Sequence, residues 1–235
     1  MELPIQAAPK FTTTLPISQQ EVTYRPFLVK EQRNLLLAKE SDSQKEIFKA
    51  LEGIVTSVSD GSVDVKELTT TDIEYLFLQI RTKSIGETAS VTFNCVEDEC
   101  DGEIPSKLNL LDVEVVGNYK AEDRVQLTEE LFVDLKYPSA QQLIDITDTK
   151  DEELQNKKMM RMSMRRIIDS ENVYELDEYP DSEIDKFVDS LTVDQFSKIT
   201  KFYEDIPTLS LTTKTVCPKC KDERVRQIKG LQNFF

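Results

Sequence analysis

An α+β fold, with helices alternating with antiparallel hairpins, is what this chain predicts, and three observations predict it. Apolar residues recur at helical spacing in several stretches, most of which open with a capping-box pair. Between those stretches the apolar period drops to two. Four cysteines fall in two close pairs, Cys95 with Cys100 and Cys217 with Cys220, each pair at the turn of a hairpin.

Residues 1–28 carry Pro4, Pro9, Pro16 and Pro26 among Thr, Ser and Gln. Proline fixes its own φ and biases its predecessor toward extended geometry, so this segment reads as an extended N-terminal arm. Leu15, Ile17, Val22, Tyr24 and Phe27 are its apolar anchors. A helical region follows over 29–87. Its first helix covers about 29–40, through Leu35, Leu36 and Leu37. The second starts at Ser43, with Glu46 three residues on, and turns Ile47, Leu51, Ile54, Val55 and Val58 to one face. The third opens at Thr71 and Glu74, carries Ile73, Leu76, Phe77 and Ile80, and stops near Gly86.

Residues 88–138 and 208–230 form the β-hairpin region. Val91 and Phe93 alternate with polar residues before Cys95, and 103–110 returns as a strand. A second hairpin runs Arg124–Leu127 and Leu131–Tyr137. A further helical region, 139–207, opens with Ser139 and Gln142 as a capping box. It continues in a Met-rich helix over 150–168 and two shorter helices at about 181–190 and 193–204, the last capped by Thr192 and Gln195. The final hairpin, Thr208–Val216 with Glu223–Lys229, carries Cys217 and Cys220 at its tip. An apolar C-terminal tip, 231–235, ends in Phe234 and Phe235.

Charge and missing residue types narrow the function. The net charge is −15, with 44 acidic against 29 basic residues and no histidine. An acidic chain is repelled by nucleic-acid phosphates and anionic lipid unless its cations cluster. They do so at 157–166 and at 214–229, with a strongly acidic stretch, 171–189, between them. Pairing of the first cluster with that stretch, or with a neighbouring subunit, is the expectation. Without histidine there is no Ser-His-Asp or Cys-His nucleophile system and no usual general base near neutral pH. No glycine pattern cradles phosphate. The expectation is a non-enzymatic protein with no small-molecule substrate, no membrane span and no nucleic-acid partner. No basic and apolar leader opens the sequence, so a cytoplasmic address is expected.

The cysteines point to a metal. A zinc ribbon needs two knuckles, each supplying two thiolates to one tetrahedral ion at about 2.3 Å. Cys217-Pro218-Lys219-Cys220 is a tight knuckle beside cations that favour thiolates, and Cys95-x4-Cys100 is a looser one. Disulfides conflict with the cytoplasmic address. A redox Cys-x-x-Cys opens a helix, whereas Cys217 sits between strands. One structural zinc per chain on Cys95, Cys100, Cys217 and Cys220 is therefore predicted, closing 88–110 onto 208–230.

Tyr24-Arg25-Pro26-Phe27-Leu28-Val29-Lys30-Glu31, followed by Leu35-Leu36-Leu37-Ala38 and Glu40-Ser41, resembles the baseplate hub assembly proteins of T-even-type bacteriophages. The likeness continues through Asp72-Ile73-Glu74-Tyr75-Leu76-Phe77-Leu78-Gln79-Ile80-Arg81, Ser84-Ile85-Gly86-Glu87 and Val133-Asp134-Leu135-Lys136-Tyr137-Pro138. The resemblance implies a viral late protein that helps build, or forms part of, the hub of a contractile tail's baseplate. Its partners would be hub proteins of the same phage. It would work in the host cytoplasm during assembly, either as a chaperone or as a subunit kept in the virion. Tyr24, Arg25, Phe27, Phe234 and Phe235 are the candidate partner-binding residues, with packing of Tyr24 and Phe27 on the protein's own first helix, and of Phe234 and Phe235 in its own core, as the other reading. The alternative function is a zinc-ribbon nucleic-acid-binding protein, drawn from the six cations at 214–229.

Overall fold

The computed structural model describes residues 7–40, 44–117, 122–147, 151–204 and 206–230. The chain divides into two compact units. The first takes its described residues from 1–64, 71–116 and 208–235, and the second from 65–70 and 117–207. The architecture is α+β with antiparallel sheets throughout.

In the first unit the arm folds into a small hairpin, β1 (Phe11–Thr14) against β2 (Glu21–Tyr24). Leu15, Ile17 and Val22 are buried. The turn between the strands is held by a buried carboxylate, for Asp72 accepts the Ile17 and Ser18 N–H groups at 2.8 and 3.0 Å. Helices α1 (Val29–Glu40), α2 (Gln44–Val58) and α3 (Thr70–Ser84) follow. The α2 stripe reaches the core at Ile54, Val55 and Val58. All four stripe residues expected of α3 are buried, together with Leu78, Asp72 and Arg81 on its other sides. Helix α3 is thus the centre of this unit and not a surface amphipath. It begins one residue before Thr71, which puts Thr71 inside the first turn; the Ser43 cap lies outside the described residues. The α3 end is fastened by Arg81, whose guanidinium donates to the carbonyls of Gly86 and Thr88 at 2.6 and 3.1 Å.

Two hairpins complete this unit. Strands β3 (Thr88–Asn94) and β4 (Glu103–Asn109) pair along their full length. After a short 3-10 turn, β5 (Glu114–Val116) joins the sheet built by β10 (Thr208–Val216) and β11 (Glu223–Lys229), in the order β11-β10-β5.

The second unit holds a four-stranded sheet, β6 (Glu122–Gln126), β7 (Phe132–Lys136), β8 (Met164–Ile168) and β9 (Val173–Glu175), paired in that order. Its helices are α4 (Ala140–Thr147), α5 (Glu152–Ser163), α6 (Asp181–Asp189) and α7 (Val193–Glu204). The α4 box closes as expected: Ser139 N donates to Gln142 Oε1 at 2.9 Å, and Gln142 N to Ser139 Oγ at 3.3 Å. The α7 box closes in the same way between Thr192 and Gln195.

One expectation is corrected here. The helix expected over 150–168 ends at Ser163, and Met164–Ile168 is a strand between β7 and β9. Pairing and charge decide it. Buried Asp134 on β7 stands opposite Arg124 on β6 and Arg166 on β8, bonding each at 2.6 Å. Two guanidiniums on one carboxylate favour the extended form over the helix propensity of Met and Arg. The expected pairing of the 157–166 cations with the acidic stretch is present across α5 and α6. Lys157 meets Asp189 at 3.0 Å, and Arg161 meets both Asp181 and Asp185.

Candidate metal centre

Cys95 follows the last residue of β3, and Cys217 follows the last residue of β10. Each begins a knuckle that closes on its own backbone. Cys95 N donates to Gly102 O, and Cys217 N to Asp222 O, both at 2.8 Å. In each case the acceptor is the residue just before the returning strand. Left-handed backbone at Glu99 (φ 63°), just before Cys100, and at Lys221 (φ 65°), just after Cys220, bends each knuckle back toward its returning strand.

The two knuckles meet. All four Sγ atoms lie within 4.8 Å of one another. Cys95 and Cys220 are 3.6 Å apart, and Cys100 and Cys217 are 3.8 Å apart. A tetrahedron with metal–sulfur bonds of about 2.3 Å has edges of roughly 3.8 Å, whereas a disulfide is about 2.05 Å long. The cluster has the dimensions of a tetrathiolate metal site. Gly102 borders it: a Cβ there would stand 2.6 Å from Cys217 Sγ and 3.3 Å from Cys100 Sγ. These four cysteines can hold a metal ion.

Thiol electrostatics agree with that chemistry. The N–H of Cys220, against the cost of burial and with help from the N–H of Lys219, pulls Cys217 down to about 6. At Cys220 the N–H of Asp222 lowers the value, but burial and the three neighbouring sulfurs outweigh it and push the thiol up to about 12. Four sulfurs this close do not all ionise unaided; a bound dication removes the conflict.

Cations also tie one hairpin to the other. The Arg226 guanidinium lies 5.1 Å from the Phe93 ring centroid and donates to Asn94 O at 3.0 Å. Arg224 bonds Glu97, and Lys219 bonds Asp101. Sequence reasoning counted these cations as a cluster and missed their targets. The role of Gly102 was also missed, although a glycine two residues past Cys100, in a chain with six, is a readable signal.

The remaining expected site residues lie elsewhere. Tyr24 is 2% exposed, with its ring 6.0 Å from that of Phe11. Arg25 donates to both Glu31 carboxylate oxygens, at 2.8 and 3.1 Å, and to Ser57 Oγ at 3.1 Å. Phe27 stacks on Phe77 with centroids 6.5 Å apart. In the chain by itself these three side chains pack within the first unit. Phe234 and Phe235 lie outside the described residues.

The fold and the cluster define an α+β protein with a zinc-ribbon-like four-cysteine element. The family model for the T4 bacteriophage base plate protein matches residues 8–235, and the chain belongs to that family. No curated protein and no solved structure matches it. Among the described residues no helix is long and apolar enough to cross a membrane.

Proposed function

We propose that this base plate protein acts in the hub of a contractile tail, without catalysis, by docking on other hub subunits during assembly. The family match across residues 8–235 carries the reading. The metal is a single structural zinc on Cys95, Cys100, Cys217 and Cys220. Four thiolates fill a tetrahedral shell and leave no position for water or substrate, so the ion braces the two hairpins and activates nothing.

Two experiments test the two halves. Metal analysis of purified protein should give about one zinc per chain, and Cys217→Ser should lose the ion and melt well below the parent. A metal-free native protein of unchanged stability would remove the zinc. For the hub, a tagged chain drawn from infected cells should bring down baseplate hub proteins; ribosomal or polymerase proteins in their place would remove the hub role. The nucleic-acid alternative gains no support, because Lys219, Arg224 and Arg226 are engaged by the opposite hairpin.

A further inference from the structure

The outward side of α1 carries a surface left exposed among the described residues. Val29, Leu36 and Leu37 are 73%, 56% and 60% exposed, and Leu28, just before the helix, is 44% exposed. Helical geometry sets Val29 and Leu36 two turns apart on one line, with Leu37 beside it. Lys30 and Arg33 fall on the same side, both exposed. Neither pairs with a carboxylate among the described residues. The opposite side is anchored, since Glu31 is buried on Arg25 and Ser57 and Leu35 is half-buried. Helix α1 therefore stands fixed along one side and presents an apolar and cationic strip along the other.

The apolar strip alone names no occupant; its charge does. The chain carries a net charge of −15, yet this strip has two cations and a single acid, Glu40, at its far end. A second copy laid parallel on the strip would bring Lys30 and Arg33 toward their own counterparts, and one laid antiparallel would offer the two cations a single acid, Glu40, and set Arg33 against Leu36. A helix with an apolar seam and acidic flanks satisfies both features at once. We propose that the outward face of α1 docks an amphipathic, acid-flanked helix of another base plate protein. The source of that helix rests on the hub reading; its chemistry rests on the α1 face.

The test uses the full metal-bound chain and two peptides of roughly 21 residues, three heptads with leucine at the seam. One peptide is flanked by glutamate and the other by lysine. The glutamate peptide should bind the parent, and Leu36→Ser or Lys30→Glu with Arg33→Glu should weaken it about tenfold. Melting should not change, because these side chains are exposed. The charge-reversed variant should prefer the lysine peptide. Equal binding of both peptides, or parent-like affinity in the variants, overturns the proposal.

In parallel, the chain is co-expressed with each base plate protein of the same phage. A partner retained by the parent and lost by the α1 variants supports the docking face. A partner retained by all of them overturns it and leaves hub docking intact. Failure to retain any partner, with glutamate-peptide binding preserved, removes the hub reading and supports the face as a helix dock. Binding to phosphatidylglycerol vesicles, or a dimer, that the α1 variants abolish overturns it by giving the face to a membrane or a second copy.

Discussion

Gly102 is where the cysteine cluster leaves least room. A methyl at this position meets Cys217 Sγ at 2.6 Å, closer than a side-chain carbon can sit. Gly102→Ala should therefore lower the metal content and the melting temperature together, read by metal analysis and a thermal scan. Gly53→Ala is the control, because nothing lies within 4 Å of its added carbon; inside α2 it should raise stability by about 0.5–1 kcal/mol. Glu31 makes a second residue-scale prediction. Burial opposes its ionisation, but Arg25, the Leu28 N–H and Ser57 prevail and hold it at about 2 instead of the ordinary 4.5. The folded value is the lower one, so the stabilisation is complete above pH 4.5 and is lost as pH falls through 4.5 toward 2. Glu31→Gln should cost on the order of 3 kcal/mol at neutral pH. Melts of parent and variant should converge as pH approaches 2. A gap that is constant with pH would show that the charge is not what stabilises.

At the scale of elements, the contact of α5 with α6 is electrostatic in an unequal way. The Arg161 side chain is 18% exposed, while its partners Asp181 and Asp185 are 75% and 36% exposed. Removing the enclosed cation leaves two carboxylates facing its replacement. Arg161→Glu should destabilise the second unit by roughly 2 kcal/mol, whereas Asp181→Asn should stay within about 0.5 kcal/mol. Equal effects in chemical denaturation would refute that asymmetry. Strand β8 shows what the sequence hides at this scale. Met164, Arg165 and Arg166 are good helix formers, and the pattern before them is helical. Asp134, 32 positions away, is the buried partner that holds Arg166 in the sheet. Local periodicity holds no trace of a partner at that distance.

For the whole molecule, the cysteine pairs join segments far apart in sequence, Cys100 and Cys217 being 117 positions apart. The residues between Gly117 and Pro207 nevertheless form a unit with their own sheet. A structural zinc contributes on the order of 10 kcal/mol or more to the fold that holds it. Stripping the metal should therefore unfold the first unit selectively. Amide exchange read by mass spectrometry should rise over 88–116 and 208–230 and stay low in the cores of 122–147 and 151–204. Equal loss of protection in both would mean that the units unfold as one.

What the sequence determined by itself is whatever short-range chemistry can write. The capping boxes at Ser139 and Thr192, the stripes of α2 and α3 and the bounds of the last hairpin are all local signals, and each is found where it was read. The cysteine pairs were legible too, because two close pairs in hairpin turns are rare unless they share a ligand. Tertiary structure alone decided which long-range partners complete these elements. It set Asp72 under the arm, Asp134 between two arginines, Arg226 against Phe93 and Gly102 against the sulfurs. Each of those contacts joins residues whose spacing along the chain carries no period, so only the folded chain could bring them together.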